Sequence, residues 1–456
     1  MNVISDIGAQ NLTRTLAEQA RTLRYEDMPE DVRQLARQCL LDYLACTLAG
    51  AKEELTEILL AEMLVYGGTP AATIIGHAER LPVLSAALVN GAASHALDFD
   101  DVNMAMTGHP SVVLLSALLP LAEERGSAAR DVLAAFVAGY ELQCRLGQLL
   151  APGHYNVLGF HATGTLGSFG ATAACAHLLG LNAEQFATAL GVAGTQAAGL
   201  KSMFGTMCKP LHAGKAAQNG LLASRLVQRG FTSRDDVLEC AQGFARTHSP
   251  DFNPSAALAE PSGGFHIRNN LFKYHAACYM THAPIEAARK LREQLALKPE
   301  QIARIKLSLD ETCDRVCNIP APRTGLEAKF SLRLTTAMAL AGVDTGGLGS
   351  YSEETAADPT LIALRDKVEF DFQTGRPNTI AELEVGLTDG RTVAASHDSG
   401  IPASDFDEQG RRLAEKFMAL ASPVIGEAKA RDLVVEISEL RPGDKLQRIL
   451  QLCAAS

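Results

Sequence analysis

Three histidines and one lysine stand at the entrances of helix-like stretches, and the chemistry of this chain is sought there first. His109 precedes Pro110, after which Val112, Leu115, Leu118 and Leu119 recur at helical spacing, placing Pro110 in the first turn. His161 precedes Thr163, the expected cap of a helix rich in small residues. Lys209 precedes Pro210 and the run His212 to Val227, and His282 precedes Pro284 and the run Ile285 to Leu295. Helix starts present unpaired N–H groups and a field that favours anions. The same field disfavours imidazolium, so histidines there are expected to be neutral and able to take a proton. If these starts converge, they form a pocket for carboxylates within an acidic protein. For any single histidine the competing reading is an ordinary surface or satisfied core position, and His154, His177, His212, His248, His266 and His397 are left with it. Lys209, between Cys208 and Pro210 in an uncharged stretch, fits a solvated surface less well.

The word His95-Ala-Leu-Asp98-Phe99-Asp100-Asp101 packs three carboxylates into four residues, which is costly unless they are solvated, capping or bound to a cation. One of them could orient or deprotonate a catalytic group, several could hold magnesium as in all-helical terpene synthases, or the group could cap the next segment. A carbocation pocket wants aromatic walls, and a chain with 5% aromatics and no Trp supplies few.

The elements that must position these groups are mostly helical up to about residue 285. Glu26 to Gly50 is expected as a helix with Pro29 just inside its start, and others are expected at about 8–22, 54–66, 82–96, 110–124, 128–150, 163–180, 183–197 and 213–229. Ala71 to Gly76 reads as a short strand. The Gly- and Ala-rich helices from 161 to 230 can pack backbone to backbone and are expected at the buried centre. Near residue 300 the pattern changes. Ile302 to Leu309 and Lys367 to Phe372 alternate as strands, and Ile380 to Leu387 meets Arg391 to Ser396 across Asp389-Gly390. Helices return at Asp407 to Leu420, Gly426 to Leu440 and Asp444 to Leu452. The expected fold is mainly α: a helical domain built from both chain ends, 1–269 and 405–456, interrupted by a smaller α+β lid domain at 270–404.

Several classes are disfavoured. The 456 residues carry 41 basic and 52 acidic side chains, and the net charge of −11 repels a polyphosphate, so nucleic acid is not an expected partner. No apolar stretch suffices to span a membrane, and Asp6 interrupts any secretory signal, which gives a cytoplasmic expectation. The ten cysteines are scattered singly, and Cys313 and Cys317 have no matching second pair, so neither a disulfide framework nor a structural metal is expected. Gly164, Gly167 and Gly170 lack the spacing and preceding strand of a dinucleotide loop. No cofactor is expected.

The words HALDFDD and GHPSV (95–112), GFHATGTLGSFGA (159–171), ALGVAGTQAAGL (189–200), KPLHAGKAAQNGLLA (209–223), KYHAACYMTHAPIEAA (273–288) and EAKFSLRL (327–334) resemble, in order and spacing, the MmgE/PrpD family of 2-methylcitrate dehydratases, cis-aconitate decarboxylases and iminodisuccinate epimerases. The resemblance implies a helical domain with an α+β lid, a homodimer, and a cofactor-free site between the domains. It points to Asp98, His109, His161 and Lys209 as catalytic residues and to Lys273 and His282 as substrate-binding ones. Two further positions of that binding set depart from the family. Val102 replaces a Thr usual after the acidic word and so lacks its hydroxyl. Cys278 stands where the animal decarboxylase has a catalytic His, which argues against decarboxylation.

The reactions shared by such proteins begin with proton removal beside a carboxylate, which needs a neutral base, cations or amides for the developing oxyanion, and an acid for a departing hydroxyl. His161 is the expected base, His109 the acid or second base, Lys209 the partner of a substrate carboxylate, and Asp98 an orienting or proton-transferring group. The expected function is that of a lyase dehydrating a small di- or tricarboxylate, 2-methylcitrate-like. Epimerisation of an iminodisuccinate-like dicarboxylate, cis-aconitate-type decarboxylation, and a silent binding scaffold are the alternatives.

Overall fold

The computed structural model describes residues 11–455; Asp6 and the expected helix start at 8–10 lie outside them. The chain divides into two compact units, one running to Phe272 and resuming at Ser404, the other comprising Lys273–Ala403.

The first unit contains helices α1 (Leu12–Thr22), α2 (Glu30–Gly50), α3 (Glu54–Tyr66), α4 (Val83–His95), α5 (Pro110–Arg125), α6 (Ala129–Leu150), α7 (Ala162–Leu179), α8 (Ala183–Gly194) and α9 (Cys208–Gln228). Helix α7 is buried continuously from Ala162 to Ala176 and packs against α5, α6 and α9, because it is apolar or small on every side. Helix α9 crosses α4 at backbone contact. A Cβ on Gly214 would fall 2.2 Å from the Leu88 carbonyl oxygen, and one on Gly91 would fall 2.6 Å from the Gly214 Cα. Only glycine permits that approach.

The second unit contains α10 (His282–Leu295), strand β3 (Ile302–Asp310), α11 (Leu332–Ala341), and strands β4 (Val368–Gln373), β5 (Ile380–Leu387) and β6 (Thr392–Asp398), numbered after a two-residue hairpin in the first unit, β1 (Ala72–Thr73) with β2 (Arg80–Leu81). The sheet order is β4-β3-β5-β6, with β3 parallel to β4 and antiparallel to β5. The hairpin from β5 to β6 turns at Asp389-Gly390, where Gly390 takes a φ of 89°. Helix α10 covers β5 and β6. After the second unit, α12 (Phe406–Ile425) and α13 (Glu427–Ser438) return to the first, where α12 packs along α2. Among the described residues no helix is long and apolar enough to cross a membrane.

Local differences from the sequence expectation have simple causes. Pro29 is the N-cap of α2 rather than its first turn, and Tyr25–Asp27 forms a separate 3-10 turn. Helix α9 starts at Cys208, so Lys209 lies inside the first turn; Pro210 is tolerated there because the first N–H groups of a helix lack partners anyway. His161 itself occupies the N-cap of α7, while Thr163 serves elsewhere. Strand β2, two residues long, is too short to reveal an alternation.

Candidate active site

The acidic word forms the turn between α4 and α5, and it sends its three carboxylates in different directions. Asp98 takes a φ of 51°, a left-handed conformation that Asp tolerates better than most residues. Its Oδ1 lies 2.8 Å from Lys209 Nζ and 3.5 Å from His109 Nε2. Asp100 accepts from His95 Nδ1 at 2.9 Å and lies 3.0 Å from His109 Nδ1. Asp101 caps α5: Ser111 Oγ donates to it at 2.5 Å and the Ser111 N–H at 3.3 Å. The capping reading therefore describes Asp101 alone. Burial, followed by the charge of Asp42, pushes Asp101 up to about 7. Burial acts the same way on Asp100, but the charges and hydrogen bonds of His109 and His95 outweigh it and hold Asp100 well below the usual carboxylate range. The turn is fastened from behind by Lys416 of α12, whose Nζ donates to the Phe99 carbonyl at 2.7 Å and to Asp42 at 2.6 Å.

The starts of α5, α7 and α9 meet in front of this turn. His109 is the N-cap of α5, with Pro110 at the first helical position, and its backbone N–H donates to Thr163 Oγ1 of α7 at 3.1 Å. The partners of His109 Nδ1, the Asp101 carbonyl at 2.9 Å and the Asp100 carboxylate, only accept. The proton therefore sits on Nδ1, and Nε2 faces Asp98. His161 Nδ1 lies 3.0 Å from His212 Nδ1. Burial, reinforced by any positive charge on His95, Lys209, His109 and His212, holds His161 well below the ordinary imidazole value, so it is neutral at pH 7. The His95 ring stands 4.6 Å from His109 and 5.8 Å from His161. Phe204 closes one side, with its ring 4.9 Å from His161 and 5.1 Å from Lys209 Nζ.

Asp98, His109, His161 and Lys209 are thus brought together within the first unit. Val102 is also there, buried, with its N–H and C=O both paired to Leu271 at 2.8 Å. Lys273, Cys278 and His282 belong to the second unit. There Lys273 is 2% exposed, and His282 opens α10 with its ring 5.0 Å from His275. His275 in turn lies 2.7 Å from Thr345 Oγ1 and 3.1 Å from Glu286. Cys278 is half-buried beside the Cys317 thiol.

One donor atom from each of His95, Asp98, Asp100 and His109 lies within 4.8 Å of the others, a spacing wide enough for a cation. The Lys209 ammonium already neutralises Asp98, and two imidazole N–H groups already serve Asp100, so these donors satisfy one another. Sequence reasoning missed Asp100 and His95 as partners of His109, left His212 as an ordinary histidine although it reaches His161, and passed over Phe204. The five-residue spacing of His95 and Asp100 around one turn was a usable signal. For Phe204 there was none.

Comparison with known proteins gives two family matches: the MmgE/PrpD N-terminal domain over residues 14–257 and the MmgE/PrpD C-terminal domain over residues 275–440. The chain is 30% identical to the cis-aconitate decarboxylase of Homo sapiens, over 94% of this chain and 92% of that protein. It is 27% identical to a cis-aconitate decarboxylase of Aspergillus terreus, over 94% of each. To the mitochondrial 2-methylcitrate dehydratase of Yarrowia lipolytica it is 26% identical, over 74% of this chain and 68% of that protein.

Proposed function

Because this chain belongs to the MmgE/PrpD family and is an enzyme of that type, we propose that it is a cofactor-independent lyase that removes water from a small di- or tricarboxylate, 2-methylcitrate-like, after proton abstraction beside a carboxylate. The observation that carries this reading is the meeting of Asp98, His109, His161 and Lys209 at three helix starts.

Each group suits one part of the reaction. His161, neutral because it is buried, takes the proton α to the carboxylate. The negative charge that develops is held by the field of the helix starts and by Lys209. Lys209 exchanges its Asp98 partner for a substrate carboxylate, a swap of one carboxylate for another that leaves the ammonium paired. His109, its Nδ1–H anchored on Asp100 and Asp101, presents Nε2 as the acid for the departing hydroxyl, with Asp98 beside it to stabilise the protonated ring. Phe204 supplies an apolar wall that lowers the local dielectric. A homodimer is part of this reading through the family alone, and a cytoplasmic location through the sequence expectation alone.

Decarboxylation is the second reading, favoured by the human and Aspergillus relatives, which are cis-aconitate decarboxylases. Cys278 weighs against it by withholding an imidazole that the family resemblance leads one to expect, whereas the hydroxyl missing at Val102 is one that decarboxylases and dehydratases share. A panel of citrate, 2-methylcitrate, cis-aconitate and iminodisuccinate-like acids separates the outcomes. Growth of alkene absorbance supports dehydration, release of carbon dioxide supports decarboxylation, and deuterium uptake without either supports an epimerase. His161→Gln is expected to lower kcat on the accepted acid by about 10²–10⁴-fold with the fold intact. Turnover close to the parent's would remove His161 from the proton-transfer step.

A further inference from the structure

His95 has no part in the chemistry proposed above, yet its side chain is 0% exposed and lies directly behind that chemistry. It closes α4, donates Nδ1–H to Asp100 at 2.9 Å, and keeps Nε2 buried without a hydrogen-bond partner. Asp100 serves His109 Nδ1 at 3.0 Å through the same carboxylate. One buried anion is thus shared between two imidazoles, and because it can only accept, both rings are fixed with the proton on Nδ1.

We propose that His95 is a positioning residue acting through Asp100: by occupying part of the carboxylate's acceptor capacity, it limits how strongly Asp100 favours protonated His109 and so sets the pH at which His109 works. The proposal rests on the reading of His109 as a proton-transfer group.

A carboxylate facing a single imidazole stabilises the imidazolium strongly; a second, neutral N–H donor disperses the same charge. His95 is suited to be that neutral donor. Burial holds it down at about 4 despite the charge of Asp100, so near neutrality it contributes a dipole and no second cation. The unpartnered Nε2 agrees, since a buried lone pair there costs less than a buried charged N–H. The other charged or titratable groups around the pair are Asp98 and Asp101 in the turn, Lys209 and His212 on α9, His161 at α7, Asp42 and Cys46 on α2, and Lys416 on α12. None of them is altered by a substitution at position 95.

Hydrogen–deuterium exchange at the imidazole C2 position, read by mass spectrometry across a pH series, follows His109 in the full chain without requiring turnover. His95→Leu, similar in bulk but without a donor, is expected to raise the His109 pKa by about one unit. His95→Asn places an amide N–H where Nδ1–H stood and is expected to restore the parent value. Asp100→Asn should lower the His109 pKa and abolish its response to His95→Leu. A His109 pKa that ignores both changes at position 95, or a shift that survives in Asp100→Asn, overturns the proposal. If His95→Leu does not fold, His95→Gln, whose N–H sits at the Nε2 position, makes the same comparison with His95→Asn. In an active acid assay the acidic limb of kcat/KM should move with the measured His109 pKa. A limb that stays put while the pKa moves would sink the role given to His109 and leave the coupling standing.

Discussion

Replacing Lys416 with Met puts the support of the acidic turn to a quantitative test. Lys416 and Asp42 are 4% and 1% exposed, and the ammonium also satisfies the Phe99 carbonyl one residue beyond Asp98. Methionine keeps most of the aliphatic stem, so little volume is lost, but Asp42 becomes a buried carboxylate whose ionisation burial already disfavours. Breaking one side of a buried pair costs about 3–5 kcal/mol, and stranding the carbonyl adds roughly 1 kcal/mol or more. At about 1.5 °C per kcal/mol, which the unfolding entropy per residue gives for a unit of roughly 325 residues, the calorimetric transition of the first unit should fall by about 6–9 °C. Adding Asp42→Asn to Lys416→Met should return a large part of that loss, because the unpaired charge is then gone. Turnover should fall as well, since Asp98 loses its anchored neighbour. A loss below about 1 kcal/mol, or simple additivity of the two substitutions, would refute the claim that this pair fastens the turn.

Two further predictions concern packing and pH. Gly214→Ala should destabilise the first unit by about 1–3 kcal/mol in thermal unfolding, because its new Cβ must displace the Leu88 carbonyl, whereas Gly443→Ala, with nothing within 4 Å of the added atom, should be near neutral. Equal effects of the two would refute the backbone-contact account of α4 and α9. On acidification, burial holds His95, His154 and His266 at about 4 and His161 and His282 well below the ordinary value, so from pH 6.5 downward the unfolded chain protonates five imidazoles that the folded chain keeps neutral. In the opposite sense, burial raises Asp101 and Glu141 to about 7, so the folded chain retains protons on two carboxyls there. Burial lowers His177, His212 and His248 as well, so the histidines prevail, and stability should fall between roughly pH 6.5 and 4.5 by about 1.4 kcal/mol per pH unit for each proton of that excess. Urea unfolding at a series of pH values checks this, and a flat or rising stability would show that the imidazoles are not held neutral.

The helices were legible wherever apolar spacing met clear punctuation. Pro110 marked the start of α5, and Asp389-Gly390 marked the turn between β5 and β6, because each of these residues has a backbone preference that does not depend on its surroundings. Of the four candidate site residues in the first unit, His109, His161 and Lys209 were legible as types at helix starts, Asp98 as part of an acidic run, and all four as members of long matching words. Their partners were less so. Whether Asp100 faces His109 or water is decided by a left-handed turn at Asp98, and a run of acidic residues does not encode the direction of each carboxylate. Thr163 looked like a cap and instead receives the N–H of His109, a tertiary bond that no local pattern announces. Phe204 is one exposed aromatic just after a short 3-10 turn and acquires meaning only from the imidazole and ammonium beside it.

The strut from α12 also has a consequence for the birth of the protein. Lys416 and Asp42 are 374 positions apart in the chain. At a synthesis rate of roughly 5–20 residues per second, α2 leaves the ribosome about 20–75 s before the lysine that will neutralise it. Throughout that interval Asp42 must stay wet or protonated, so the segment preceding the second unit cannot close tightly as it emerges. The acidic turn reaches its working shape only after translation has almost finished, which spares the cell a half-made chain with a competent centre.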